Sequence, residues 1–230
     1  MNYVYNKNLA NCTPSKIREF NSLASKLNAK FKLTLGQPDF DTPIEIKDAL
    51  IEAVNQNHTR YAPTVGNKNL REEICKFEKR VNKVSYEPDE VLITTGSTEA
   101  LTAALFTLLN QDDEVIVPIP CYALYEPVIS YCGAKMIPLD TRPDFQISKG
   151  HLEALINNKT KAILLTSPNN PTGTIYDDKT LENIYNIVKD TNILVICDNC
   201  YDQLVYGKRR LGFSKYQDIK DQIIVCQSFS

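Results

Sequence analysis

The chain has 230 residues, 43% of them hydrophobic, which is enough for one large domain with a sizeable core. Its formal net charge of −2, with no long single-sign block, argues against the basic patch that nucleic-acid or membrane-surface binding needs. The longest apolar runs are strand-sized, so nothing spans a bilayer, and MNYVYNKNLAN lacks the apolar core of a signal peptide.

Residues 1–30 read as an arm in which Ile17, Phe20, Leu23, Ala24 and Leu27 form a helical stripe behind the start signal Thr13-Pro14-Ser15. Phe31 to Leu35 reads as a short strand. Gly36 to Pro43 is too rich in Gly, Pro and Asp to be regular. Thr42 as cap, Pro43 in the first turn and Glu45 completing a capping box then open a helix. Its expected buried face is Ile46, Ala49, Leu50, Ala53 and Val54. A loop from His58 to Gly66 carries Arg60 and Tyr61. The next helix, Asn67 to Val81, is expected to bury Leu70, Ile74, Phe77 and Val81 and to expose Arg71, Glu72, Lys76 and Lys79.

From Val91 onward strands and helices alternate. Expected strands are Val91–Thr94, Glu114–Val117, Lys135–Leu139, Ala162–Leu165, Ile193–Cys197 and Gln222–Cys226. Between them lie the apolar helix Ala100–Leu109, a helix containing Tyr122, Tyr125 and Val128, a short one at His151–Ile156 capped by Ser148, and one opened by Asp178. Helices of this length between strands predict an α/β fold, a mostly parallel sheet covered on both faces.

Seven cysteines include the pair Cys197 and Cys200 in a C-x-x-C. Alternate strand positions face opposite ways and no second C-x-x-C completes a zinc site, so no metal is expected. An odd count without an export signal points to reduced thiols and a cytoplasmic protein.

The chemistry-bearing residues follow strands. Asp198 and Tyr201 stand just after the run Ile193–Cys197. Asn170 lies in Ser167-Pro168-Asn169-Asn170-Pro171-Thr172-Gly173 after another strand, and Tyr122 follows a third. Gly96-Ser97-Thr98 sits where a strand passes into an apolar helix, and free N–H groups at such a start suit an anion. Each feature alone has a plain reading as a turn, a cap or core packing. Together they belong at one edge of one parallel sheet, where open α/β sheets present ligands. No G-x-G-x-x-G or G-x-x-x-x-G-K-[ST] is present, which disfavours dinucleotides and nucleoside triphosphates.

The motifs G-S-T-E-A, P-C-Y-A-L-Y, S-P-N-N-P-T-G and D-N-C-Y, in this order, resemble the class I/II aminotransferases, pyridoxal-phosphate enzymes of fold type I. Gly36 to Pro43 and the stretch from Tyr61 to Arg71 match that pattern too. The resemblance implies a seven-stranded, mostly parallel sheet plus a small domain. Residues 1–45 would form the arm and part of the small domain, and residues 46–230 the incomplete large domain. It implies that Gly96, Ser97 and Thr98 hold the cofactor phosphate with Ser228, and that Tyr122 stacks on the ring. Asn170 and Tyr201 would bind the ring's phenolic oxygen across an often cis Asn170–Pro171 bond, and Asp198 would pair with the ring nitrogen. Tyr61 would reach the phosphate of a neighbouring subunit, making a homodimer. Gly36, Asn170 and Arg18 would border the substrate. A carboxylate keeps the pyridine nitrogen protonated, and a protonated pyridine is an electron sink. Asp198, Tyr201 and Tyr122 are therefore the expected catalytic groups.

Where the family usually has Glu, Val or Ile, this chain has Asn199 and Cys200, expected to face the packing of the sheet. Gln227-Ser228-Phe229-Ser230 resembles the residues just before the Schiff-base lysine, so the resemblance places that lysine, two ligand-gripping arginines and the last strand beyond Ser230. These 230 residues alone would then not transaminate. The implied activity moves an amino group from an L-amino acid of aspartate or aromatic type to a 2-oxo acid such as 2-oxoglutarate. A cystathionine β-lyase-like carbon–sulfur lyase and a non-catalytic ligand-sensing or dimerisation domain are the alternatives.

Overall fold

The alternation of apolar runs and amphipathic helices after residue 91 folds into one parallel sheet. The structure, a computed structural model, describes residues 6–9, 16–27, 31, 34, 36, 38, 40–207 and 209–229. By contact the chain divides into two units, Thr13–Thr64 and a larger one made of Met1–Cys12 with Val65–Ser230.

The smaller unit contains α1 (Lys16–Lys26) and α2 (Ile44–Asn55). The Thr13-Pro14-Ser15 start and most of the expected strand Phe31–Leu35 lie outside the described residues. Two expectations for α2 are corrected. Pro43 is its N-cap and no side chain caps it, so the Thr42–Glu45 capping box does not form. None of its residues is buried, and Ile46, Leu50 and Val54 are all more than half exposed. Spacing specifies that a face is apolar; it does not supply the surface that covers it.

The larger unit carries α3 (Lys68–Val81), α4 (Gly96–Leu108), α5 (Tyr125–Tyr131), α6 (Lys149–Glu153) and α7 (Asp178–Val188). Its strands are β1 (Glu114–Ile119), β2 (Lys135–Asp140), β3 (Thr160–Thr166), β4 (Leu194–Asp198) and β5 (Ile223–Cys226). They lie in the order β2-β1-β3-β4-β5, every pair parallel. Successive residues serve opposite faces. Val115, Val117, Ala162, Leu164 and Ile196 pack with Leu101 and Leu105 of α4 and Tyr125 and Ile129 of α5. Ile116, Ile163, Leu165, Val195 and Cys197 pack with Leu152 of α6 and Leu181, Ile184 and Val188 of α7. Both faces are dry, which is why these strands read as unbroken apolar runs. Side-chain caps start three helices: Asn67 accepts from Leu70 N–H (3.2 Å), Ser148 from His151 N–H (3.3 Å) and Asp177 from Thr180 N–H (2.6 Å).

Val91–Thr94 is not a strand. Ile93 N–H donates to Val65 O at 3.1 Å, and no described strand pairs with the segment. A β-branched run becomes a strand only where a neighbour supplies the ladder. That approach explains Gly66, whose φ is +94° and whose added Cβ would lie 2.3 Å from Ile93 Cγ1.

The expected outer face of α3 is also corrected. Arg71 and Glu78, two turns apart, are 8% and 4% exposed, whereas Leu70 is exposed. Arg71 Nη1 donates to Pro88 O at 2.6 Å, and Asn82 Nδ2 donates to Glu78 Oε2 at 2.7 Å. Long charged side chains can enter a core when partners wait there, and a hydrophobic-stripe pattern does not reveal those partners.

Two outcomes follow from these positions. Gly66→Ala combines left-handed strain with an overpacked contact and should destabilise by about 2–5 kcal/mol in urea denaturation. Burial raises the Glu78 carboxyl above its ordinary value, against smaller lowering by Asn82 and Gln227. Between the unfolded and folded pKa values the folded state therefore binds more protons than the unfolded chain, and this contribution is lost as pH rises through the folded pKa. Unfolding across pH 4–8 should show Glu78→Gln gaining stability relative to wild type as pH rises; an unchanged difference would contradict the shift.

Candidate active site

Register aligns the ends of three strands. Thr166 pairs with Asp198, and Asp198 with Cys226, so three consecutive chain exits leave the sheet in one row. The strand order reverses between β1 and β3, the switch point at which neighbouring loops part and leave a crevice. Tyr122 follows β1, Asn170 follows β3, Tyr201 follows β4 and Ser228 follows β5.

Asp198 ends β4 at 4% exposed. Its Oδ2 accepts from Tyr125 OH at 2.6 Å, and its Oδ1 accepts from Cys200 N–H at 3.3 Å. Tyr125 is itself 1% exposed, and its oxygen lies 2.6 Å from Thr166 Oγ1. Burial, then the charge of Asp198, raises the Tyr125 phenol far above its ordinary value, so it stays protonated. Its single proton goes to Asp198, so Thr166 must donate to Tyr125: the hydroxyls form a relay ending on the carboxylate. No ion pair among the described residues involves Asp198. A buried carboxylate supported by neutral donors alone is a place for a cation.

Around it stand the other expected residues. Tyr122 precedes α5 rather than lying within it, and its ring meets that of Tyr125 edge to face at 5.6 Å. The Asn170–Pro171 bond is cis, and Asn170 Nδ2 donates to Tyr201 OH at 3.3 Å. The turn bearing Asn170 is built by Asn169, which accepts Thr172 N–H on Oδ1 (3.1 Å) and Gly173 N–H on its carbonyl (2.8 Å). The Tyr201 phenol is raised by burial, partly offset by the bond from Asn170.

The helix α4 begins at Gly96, with φ +77°, so Ser97 and Thr98 lie in its first turn rather than ahead of it. The N-cap Thr95 side chain makes no capping bond, and Glu99 turns back to accept the Thr95 N–H. The first-turn N–H groups of α4 have no helical acceptor, which suits an anion.

Cys200 is half-buried, and its thiol lies near Ser97 and Asp198. Burial and the Asp198 charge push it up to about 12, so it is a neutral thiol and not a nucleophile. Asn199 is buried, and its N–H donates to Cys226 O at 2.8 Å. All six described cysteines are free.

Ser97, Tyr122, Asn170, Asp198, Tyr201 and Ser228 all belong to the larger unit, at the C-terminal edge of its sheet. Gly36, Tyr61 and Arg18 belong to the smaller one. Gly36 and Tyr61 are exposed there, and Arg18 lies in α1 with its side chain outside the described residues. The residues that sequence reasoning missed are Tyr125 and Thr166. Tyr125 stands three positions after Tyr122, a spacing that brings a second ring to the same end of a helix.

The family model for aminotransferase class I and II matches residues 28–230. The chain belongs to the class I and II aminotransferases. It is 34% identical over 232 residues to a probable N-acetyl-LL-diaminopimelate aminotransferase of Bacillus subtilis, covering all of this chain and 58% of that relative. It is 34% identical to a probable aspartate aminotransferase of Methanocaldococcus jannaschii, covering 90% and 55%. Among solved structures, an aspartate aminotransferase from Thermus thermophilus with maleate superposes with a TM-score of 0.91 at 28% identity, covering 99% of this chain and 61% of that one. An aromatic aminotransferase from Pyrococcus horikoshii gives 0.81 at 30%, covering 85% and 53%. The fold of this aminotransferase chain is thus the α/β fold of its family, and the chain spans just over half the length of the relatives it matches.

The Tyr125–Asp198 bond makes a testable element of this site. Tyr125→Phe removes a donor from a buried carboxylate and an acceptor from Thr166, and should cost about 1–3 kcal/mol in urea denaturation. An unchanged midpoint would show that the relay is not formed.

Proposed function

We propose that this chain forms the larger part of a pyridoxal-phosphate-dependent aminotransferase that moves the amino group of an L-amino acid of aspartate or aromatic type to a 2-oxo acid such as 2-oxoglutarate. The observation that carries the reading is the Asp198 carboxylate, buried, fed by Tyr125 and lacking a cationic partner among the described residues. The donor set fits the cofactor: a carboxylate for a protonated ring nitrogen, the Asn170–Tyr201 pair for a phenolic oxygen, and uncapped amides of α4 with Ser97 and Thr98 for a phosphate. When bound, pyridoxal phosphate supplies the electron sink that lets the Cα–H bond of an amino acid break.

The residues divide the work by their chemistry. Asp198 would hold a proton on the ring nitrogen of the bound cofactor, and Tyr125 holds Asp198. Tyr122, which meets Tyr125 edge to face, would lie against the ring. Asn170 orients Tyr201, whose raised pKa keeps it a proton donor at neutral pH. Gly96, Ser97, Thr98 and Ser228 would anchor the phosphate. Asn170 would border the substrate; for Gly36 and Arg18, in the smaller unit, a substrate role is proposed on the family resemblance alone.

We assign residues 1–45 to the arm and part of a small domain, and residues 46–230 to the large domain. The exposed Tyr61 and the uncovered apolar face of α2 support a homodimer in which Tyr61 serves the neighbouring phosphate. Aspartate and aromatic aminotransferases among the relatives support the substrate class; a cytoplasmic role in amino-acid biosynthesis is part of the same proposal. No helix among the described residues is long and apolar enough to cross a membrane.

The test uses the full-length protein with pyridoxal phosphate, aspartate or phenylalanine, and 2-oxoglutarate. Glutamate and the matching oxo acid should appear in equal amounts. Pyruvate released from cystathionine without an added oxo acid, and no glutamate from either amino acid, would assign a lyase instead. Asp198→Ala should lower kcat by about 10²- to 10³-fold while phosphate anchoring persists. Full turnover in that variant would remove Asp198 from its role.

A further inference from the structure

A chain of buried polar groups runs behind the candidate site and closes on itself. Glu78 of α3 accepts from Asn82 Nδ2 at 2.7 Å. Arg209 Nη2 donates to both Asn82 Oδ1 and Asp202 Oδ2, its Nη1 donates to Val81 O at 3.1 Å, and its Nε donates to Asp202 O at 3.2 Å. Asp202 N–H donates to Asn199 O at 3.0 Å, and Asn199 N–H donates to Cys226 O at 2.8 Å. Cys226 is joined covalently to Gln227, whose side-chain amide approaches the Glu78 carboxylate closely enough to lower its pKa. Three separate segments, the end of α3, the turn after β4 and the exit from β5, are thereby joined in one ring.

The last link is the informative one. Glu78 Oε1 and Gln227 Nε2 are both buried and neither has a hydrogen-bond partner of full geometry, although the two side chains face each other. Buried polar atoms left in this state are costly, so a carboxylate at 4% exposed is a poor choice for packing alone. Its position immediately behind the residue before Ser228 gives it a use.

We propose that Glu78 is a positioning residue for the phosphate end of the site, fixing the β5 exit through Gln227 so that Ser228 stands opposite the first turn of α4. The proposal rests on the reading that Ser228 and the α4 N-terminus hold the cofactor phosphate. Asn82 and Arg209 brace the carboxylate from behind, and the Asn199–Cys226 bond sets the depth of the same exit from its other side. Glu78 itself touches no ligand in this arrangement.

The test compares pyridoxal phosphate with pyridoxal, which lacks the phosphate, by equilibrium dialysis against the full-length apoenzyme. Wild type should prefer pyridoxal phosphate. Glu78→Leu, which keeps volume and removes both oxygens, should reduce that preference about tenfold, in line with the loss of a supporting shell around a binding group. Glu78→Gln has one acceptor oxygen in place of two, so it can serve Asn82 or Gln227 but not both, and should restore only part of it. Gln227→Leu breaks the same contact from the other side, should behave like Glu78→Leu, and carries the test alone if Glu78→Leu does not fold. Equal weakening of both ligands in the Leu variants, or no weakening of either, would overturn the positioning role. A wild type that binds the two ligands equally would instead overturn the phosphate assignment, and the inference with it.

Discussion

Asp198 is a carboxylate removed from water, and an uncompensated charge in that position costs several kcal/mol. The structure meets this cost with neutral dipoles. A buried tyrosine held in its protonated form donates to one oxygen and a backbone N–H to the other. Thr166 then serves Tyr125 from the neighbouring strand. Such an arrangement steadies the carboxylate without neutralising it, so its field remains available to a cation arriving from outside the chain. The β3–β4 register, the placement of α5 and the turn geometry after β4 can all be understood as conditions for that one group.

The sheet makes those conditions affordable. Parallel strands with helices on both faces place every strand exit on the same edge, and the turns there need only a few residues to deliver a side chain. The groups that meet at the edge come from distant stretches of sequence. None must travel far from a rigid element. The polar ring behind the site extends this economy, because one arginine braces both the end of α3 and the turn that carries Tyr201.

What the sequence made legible was governed by period and by punctuation. Apolar runs ending in Asp, Asn or Ser-Pro marked β3 and β4, and the following motifs placed Asn170, Asp198 and Tyr201 at one edge. The helix cap at Ser148 was readable because a short polar side chain ahead of a stripe has few other uses. Three kinds of feature were not readable. Val91–Thr94 has strand composition without a described partner, and pairing is not a local property. Arg71 occupies a core position of α3 because the Pro88 carbonyl meets it there, and Glu78 because the C-cap Asn82 donates to it, which a helical stripe cannot show. Tyr125 and Cys200 look like packing residues in sequence, and only the tertiary arrangement turns the first toward Asp198 and the second toward Ser97.

The register of β4 has a meaning that reaches back into folding. Leu194 to Cys197 is apolar on both faces, so its pattern alone hardly distinguishes one alignment from a neighbour shifted by a residue. Such a slip would turn Asp198 away from Tyr125 and Thr166 and drive a carboxylate into the aliphatic layer over α7. The charge thus acts as an index mark: it makes the wrong alignments expensive while the strand is still finding its place. An apolar residue there would erase the mark, so one buried carboxylate serves the accuracy of the sheet as well as the site at its edge.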